Sequence, residues 1–249
     1  MFTLKSEPQD KLTLIEQGFH LYKHIFGLAL PYSLLAAIFI FTPQLFIDIT
    51  PPFHLTQMGQ NVPLMAGAVI GWLLGFIFLS ALTFRIYYVT LELPLRFVDA
   101  IAHVLLKLIP LLLLGILYAL VVLSGTLFLV VPGIILSISL MFSFILFLTD
   151  NQNVLQTLLT SHRLVWGNWW HALLVISFPL LLDMTVSFAV LLSLITAFNH
   201  YHFSLTTLYF AVCGCNIVIQ AFFIPLIFSI AFTLLNDLRN RQGSPLPRW

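Results

Sequence analysis

Charge is what this sequence has least of. Of 249 residues, 8% are Asp, Glu, Lys or Arg, against about 25% in a soluble domain. So little charge cannot keep a water-facing surface solvated, which excludes a soluble enzyme and a disordered chain. Cysteine is nearly missing as well. Cys213 and Cys215 are the two present, which excludes a disulfide-stapled secreted module. One residue apart in an apolar stretch, they face different sides of a helix and read as small packing residues, not as a metal pair. Glutamate is confined to Glu7, Glu16 and Glu92, so the paired-glutamate pattern of membrane proteases cannot be built. There is no Walker lysine loop, His-Glu-x-x-His helix or Gly-x-Ser-x-Gly elbow. Neither an enzyme nor a cofactor is expected. A net charge of +1 gives no reason to expect nucleic acid as a partner.

What is present is apolar surface: 60% hydrophobic residues, 24 phenylalanines and a mean hydropathy of +1.04. A bilayer core takes roughly 20 apolar residues per helix. Ile25–Ile47 and Val62–Phe84 each meet that length without a charge, and Leu108–Thr149 holds two spans, 108–128 and 130–149, turning near Leu129–Gly133. Trp169–Phe198 is a fifth span and Leu205–Leu235 a sixth, the latter with Pro225 as a kink site. The expected fold is therefore all-α, a polytopic bundle of six transmembrane helices forming one domain over 1–249. Residues 1–24 carry Lys5, Glu7, Asp10, Lys11, Glu16 and Lys23 and lack the apolar core of a cleavable signal. The first span is expected to remain in the mature chain.

In this layout Lys5, Lys11, Lys23, Arg85, Arg96, Lys107, Arg163, Arg239, Arg241 and Arg248 all fall on one side, which the positive-inside rule makes cytoplasmic. Both termini then lie in the cytoplasm. The segments on that side carry their own periodicity. Glu92, Arg96, Asp99, His103 and Lys107 recur every three or four residues, with Leu93, Phe97, Ala100, Ile101, Val104 and Leu105 opposite. This predicts an amphipathic helix in the headgroup plane over 92–107. Similar stripes predict interfacial helices over 9–24 (Leu12, Ile15, Phe19, Tyr22) and 150–168 (Leu155, Leu158, Leu159, Val165, Trp166). Two readings stand: three copies of an interfacial helix plus transmembrane hairpin, or three independent amphipathic entries to membrane helices.

Asp183 is the one ionisable residue deep inside a span. A carboxylate there costs about 2.5–3.5 kcal/mol on insertion scales, so it is expected to face the bundle interior or a wet cavity. Equal depth in span six falls near Gln220, and Tyr209, Cys213, Asn216 and Gln220 follow each other at helical spacing. Asp183, Ser187, Asn216 and Gln220 are thus a candidate buried polar site, able to relay a proton or hold a headgroup. The plainer alternative is a protonated Asp183 serving as interhelical glue. Gly67, Gly71 and Gly75 line one face of span two and predict close packing against another helix, in this chain or in a second copy or partner. Pro132-Gly133 marks either a hairpin tip outside the membrane or a re-entrant loop. His54, His200 and His202 share the outer side but lack ligand spacing, so no metal is expected.

Val130-Val131-Pro132-Gly133-Ile134-Ile135, a further apolar run, Asp150, and then Ser161-x-Arg163-Leu164-x-Trp166-x-Asn168 together resemble the YciC-type bacterial inner-membrane family. That family is similar in turn to the membrane domains of some glycerophosphodiester phosphodiesterases. The likeness is specific over Val130–Trp169 and hydropathic elsewhere. It implies six spans and a bacterial inner-membrane location, with Pro132, Gly133, Asp150, Ser161, Arg163, Trp166 and Asn168 as the family positions. It implies no activity, and Asp183 and the three glycines are not part of the motif. In physical terms the motif suits an anchor: Asp150 can cap the third interfacial helix, and Arg163 can meet a lipid phosphate beside Trp166 at headgroup level. The expected role is membrane or envelope organisation through contacts with membrane lipids or proteins. A small solute permease using the Asp183 site is the alternative, and a membrane-embedded lipid-modifying enzyme a more distant one.

Overall fold

The structure, a computed structural model, describes residues 7–48, 58–150, 152–201 and 204–242. These form α1 (Lys11–Asp48), α2 (Met58–Thr90), α3 (Phe97–Leu106), α4 (Leu108–Phe128), α5 (Val130–Leu140), α6 (Ser143–Thr149), α7 (Val154–Val165), α8 (Trp169–Tyr201) and α9 (Leu205–Arg241), with no strand among the described residues. Six stretches are long and apolar enough to cross a bilayer: α1, α2, α4, α5 with α6, α8 and α9. The chain is an all-α, multi-pass membrane helix bundle.

The centre of the bundle is α1, α2 and α9. Leu14, Leu21, Ile25, Ala29, Tyr32 and Ala36 of α1 are buried at steps of seven, four, four, three and four, one continuous helical stripe. That stripe begins in the stretch expected to lie in the headgroup plane. Because its phase never breaks, residues 11–24 continue the spanning helix, and no separate interfacial helix forms over 9–24. Leu12 is exposed, and Ile15, Phe19 and Tyr22 only flank the core. The first copy of the threefold repeat is therefore missing. Hydroxyls tie α1 to α9: Ser33 Oγ donates to the Ala221 carbonyl at 2.8 Å, and Thr233 Oγ1 to that of Leu14 at 3.4 Å. The backbone N–H of Gln9 donates to Asp237 Oδ1, so both ends of the described chain lie together, at the basic end of the bundle near Arg239 and Arg241.

Span two meets span one at its glycines. A Cβ on Gly71 would stand 2.7 Å from the Phe39 carbonyl, and one on Gly75 would stand 3.3 Å from that of Ala36. Both positions are filled by α1, which removes them as a face for a second copy; Gly67 meets no described atom within 4 Å. At the far end of α2, Glu92 adopts φ +58° and the Arg85 side chain holds the Leu95 carbonyl. The chain turns there, and α3 starts at Phe97 instead of 92. Its polar face is also split. His103 stacks on Phe84 at 4.0 Å and Lys107 approaches the Phe147 ring, because Ala100 and Val104 beside them enter the core. Asp99 stays exposed beside Val98.

Spans three and four join through Leu129 alone, in extended conformation between α4 and α5. Span four is two helices, since the ladder breaks at Met141–Phe142 between α5 and α6. α8 and α9 run unbroken through Pro179 and Pro225, so neither proline ends its helix. Both extend past their expected limits, to Tyr201 and Arg241.

Candidate functional site

Antiparallel packing of α8 on α9 brings Asp183 and Gln220 together. Gln220 Nε2 donates to both carboxylate oxygens, at 3.1 Å to Oδ1 and 2.9 Å to Oδ2. The pair is half-buried, and among the described residues no cation bridges Asp183. Pro179, one turn away, cannot donate to the Val175 carbonyl, which lies two turns from Asp183. Ser187 lies one turn beyond Asp183, and its Oγ is buried without a hydrogen-bond partner. Asn216 lies one turn from Gln220 and makes no hydrogen bond to Asp183. Cys213 turns away, its Sγ reaching the Phe41 carbonyl of α1. The expected stripe therefore contributes Gln220 to Asp183, leaves Asn216 nearby and loses Cys213. A neutral amide bonded to both oxygens can hold a carboxylate or, with rotation, a protonated carboxyl; it supplies no counter-charge.

Most of the positions that carry the resemblance are structural. Gly133 sits against Thr126: a Cβ there would stand 2.9 Å from Thr126 Cα. Ser161 is fully buried and its Oγ donates to the Ser139 carbonyl at 2.7 Å, fastening α7 to α5. Asp150 does not cap α7. The N-cap is Asn153, with no side-chain bond, while Asp150 accepts from Thr149 Oγ1 and forms an ion pair with Arg239. A cationic partner from α9 is the stronger attraction for a half-buried carboxylate. Asn168 precedes α8 and its carbonyl accepts from Ala172 N, after Gly167 at φ +88°. Arg163 and Trp166 differ from the rest. Both are exposed, on the face of α7 that also presents Leu155 and Leu159, while Leu158, Leu164 and Val165 enter the core. Trp169 and Trp170, at the start of α8, stack on each other at 4.0 Å.

A second polar centre surrounds Asp237 at the basic end. Asp237 is 1% exposed. Its Oδ2 accepts from Arg241 Nε at 2.7 Å and stands 3.2 Å from His171 Nε2, though not in hydrogen-bond geometry. Arg241 also donates to the Gln9 carbonyl at 2.6 Å. In sequence, Asp237, Arg239 and Arg241 look like the solvated end of a helix; the i, i+4 spacing of Asp237 and Arg241 was the one available signal. At α3, burial pushes the pKa of both His103 and Lys107 down, and the Lys107 charge pushes His103 further. The His103 Nε2 is buried without a hydrogen-bond partner. α2, α6 and α9 line an open pocket of about 250 Å³, whose walls include Phe76, Leu79, Phe144, Ile145 and Phe228. Its hydroxyls, Ser80 and Thr83, donate to their own helix's carbonyls.

Among the described residues no cluster of His, Cys, Asp or Glu could hold a metal. His54 and His202 lie outside the described residues, and His200 packs edge-on against Tyr201. Comparison with protein-family models, curated proteins and solved structures finds no match to this chain.

Proposed function

We propose that this multi-pass membrane protein is a non-enzymatic, YciC-type component of the bacterial inner membrane, with both termini in the cytoplasm. In this reading it organises the membrane or envelope through contacts with lipids or proteins at its basic end. The observation that carries the reading is the outward face of α7. Arg163 stands exposed among Leu155, Leu159 and Trp166, while the opposite face is locked into the core through Ser161. A rigid helix presenting one guanidinium among apolar side chains matches the boundary between lipid phosphate and acyl chain. A charge-assisted bond to phosphate contributes about 1.5–3 kcal/mol, or roughly ten- to a hundredfold in affinity. Native mass spectrometry of protein extracted from its own membrane should show an anionic phospholipid adduct that Arg163→Ala loses by about that factor. Equal retention by the variant would sink the lipid contact.

The bond between Gln220 and Asp183 favours a second reading, a small permease that moves a proton or a solute past Asp183. Asn at this position can still accept from Gln220, so Asp183→Asn should keep the thermal midpoint of the wild-type protein. In vesicles loaded with a pH-sensitive dye, the permease reading expects the variant to lose proton uptake down an imposed gradient. Identical uptake by variant and wild type leaves Asp183 as interhelical glue.

A further inference from the structure

From the geometry of the α4–α5 hairpin we infer that it turns round inside the bilayer. Its tip, Leu127–Val131, is then held among the lipid acyl chains of the leaflet remote from the basic end. Leu127, Phe128, Leu129, Val130 and Val131 are between 63% and 86% exposed. Five successive residues at a tight helical turn point in every direction, so the exposed surface has no single face for a partner protein to cover. From Leu127 to Leu136 there is no polar side chain. The nearest hydroxyls all donate to their own helix: Ser124 to Val121, Thr126 to Val122 and Ser137 to Ile134, each at 2.8 Å. Such a surface in water would expose a contiguous apolar patch with nothing to solvate it.

The turn keeps few backbone groups open, although the Val130 and Val131 N–H groups have no helical partner. A polar backbone group left open in hydrocarbon costs several kcal/mol, so irregular turns are normally excluded there. This turn has one non-helical residue. Leu129 N donates to the Gly125 carbonyl at 3.1 Å, and the Leu129 carbonyl accepts from Gly133 N at 3.3 Å. Of the first three helical positions of α5, Val130, Val131 and Pro132, the third has no N–H to leave open. Gly133 lets α5 approach the Thr126 backbone, which permits so short a turn. Length agrees. The 21 residues of α4 reach about 31 Å, close to the hydrocarbon thickness of about 30 Å. α8 and α9, with 33 and 37 residues, reach about 50 and 55 Å and can project beyond it.

The test uses the full chain with Cys213 and Cys215 replaced by Ala, carrying either Leu129→Cys or, as a second tip position, Val130→Cys. Asn199→Cys, at the exposed far end of α8, is the water-facing control. A membrane-impermeant maleimide is applied to intact cells and to inside-out vesicles. Both tip variants are expected to label about tenfold or more slower than Asn199→Cys, from either side. An environment-sensitive fluorophore at either tip position should be quenched by lipids brominated in their acyl chains. Labelling at the control rate would overturn the inference by placing the tip in water. Protection without quenching would overturn it equally, by showing that protein and not lipid covers the tip.

Discussion

Asp237→Ala is expected to destabilise the folded protein by about 3–5 kcal/mol, the cost of removing one partner from a buried ionic cluster. Three elements depend on this carboxylate. Gln9 N donates to one oxygen, and Arg241 Nε donates to the other with His171 beside it. Without Asp237 the guanidinium of Arg241, itself partly buried, faces Gln9 and His171 with no compensating charge, and the start of α1 loses its attachment to α9. Asp237→Asn should fall between variant and wild type, because the amide oxygen still accepts from Gln9. Arg241→Gln should cost an amount comparable to Asp237→Ala, because it leaves the Asp237 carboxylate, 1% exposed, buried without its guanidinium partner. Equilibrium unfolding in detergent with increasing denaturant measures the series. A loss below about 1 kcal/mol for Asp237→Ala would mean that water already screens the cluster.

Gly133→Ala should destabilise by about 1–3 kcal/mol through overpacking, although alanine is the better helix former. A methyl group at Gly133 would collide with Thr126 Oγ1 and stand 2.9 Å from Thr126 Cα. Backbone cannot rotate aside as a side chain can, so α4 and α5 would have to separate and the one-residue turn at Leu129 would open. Gly71→Ala should behave alike on the other side of the bundle, where the Phe39 carbonyl lies 2.7 Å from the added carbon. Gly27→Ala is the matched control: the same change in a spanning helix, with nothing within 4 Å. There the gain in helix propensity, up to about 1 kcal/mol, should leave stability unchanged or raised. Thermal midpoints of the three variants in one detergent test the contrast. If all three shift alike, glycine flexibility and not close approach sets the effect.

Hydropathy alone determined that the chain is an all-α membrane bundle and how many long apolar helices it has. Transfer of apolar side chains into lipid is additive along a helix, so a run of some 20 such residues carries its own answer. The depth match of Asp183 with Gln220 was legible for a related reason: in an antiparallel hairpin, position along one helix sets the depth of its neighbour. The glycine contact of span two was legible as a close approach, but which helix fills it was not. Only the tertiary structure decided that α1 fills it, that residues 11–24 continue a span, that Asp150 meets Arg239 instead of capping α7, and that Asp237 is buried. Those outcomes depend on partners up to 228 residues away, and whether a charge ends in water or in an ion pair is settled by what packs over it.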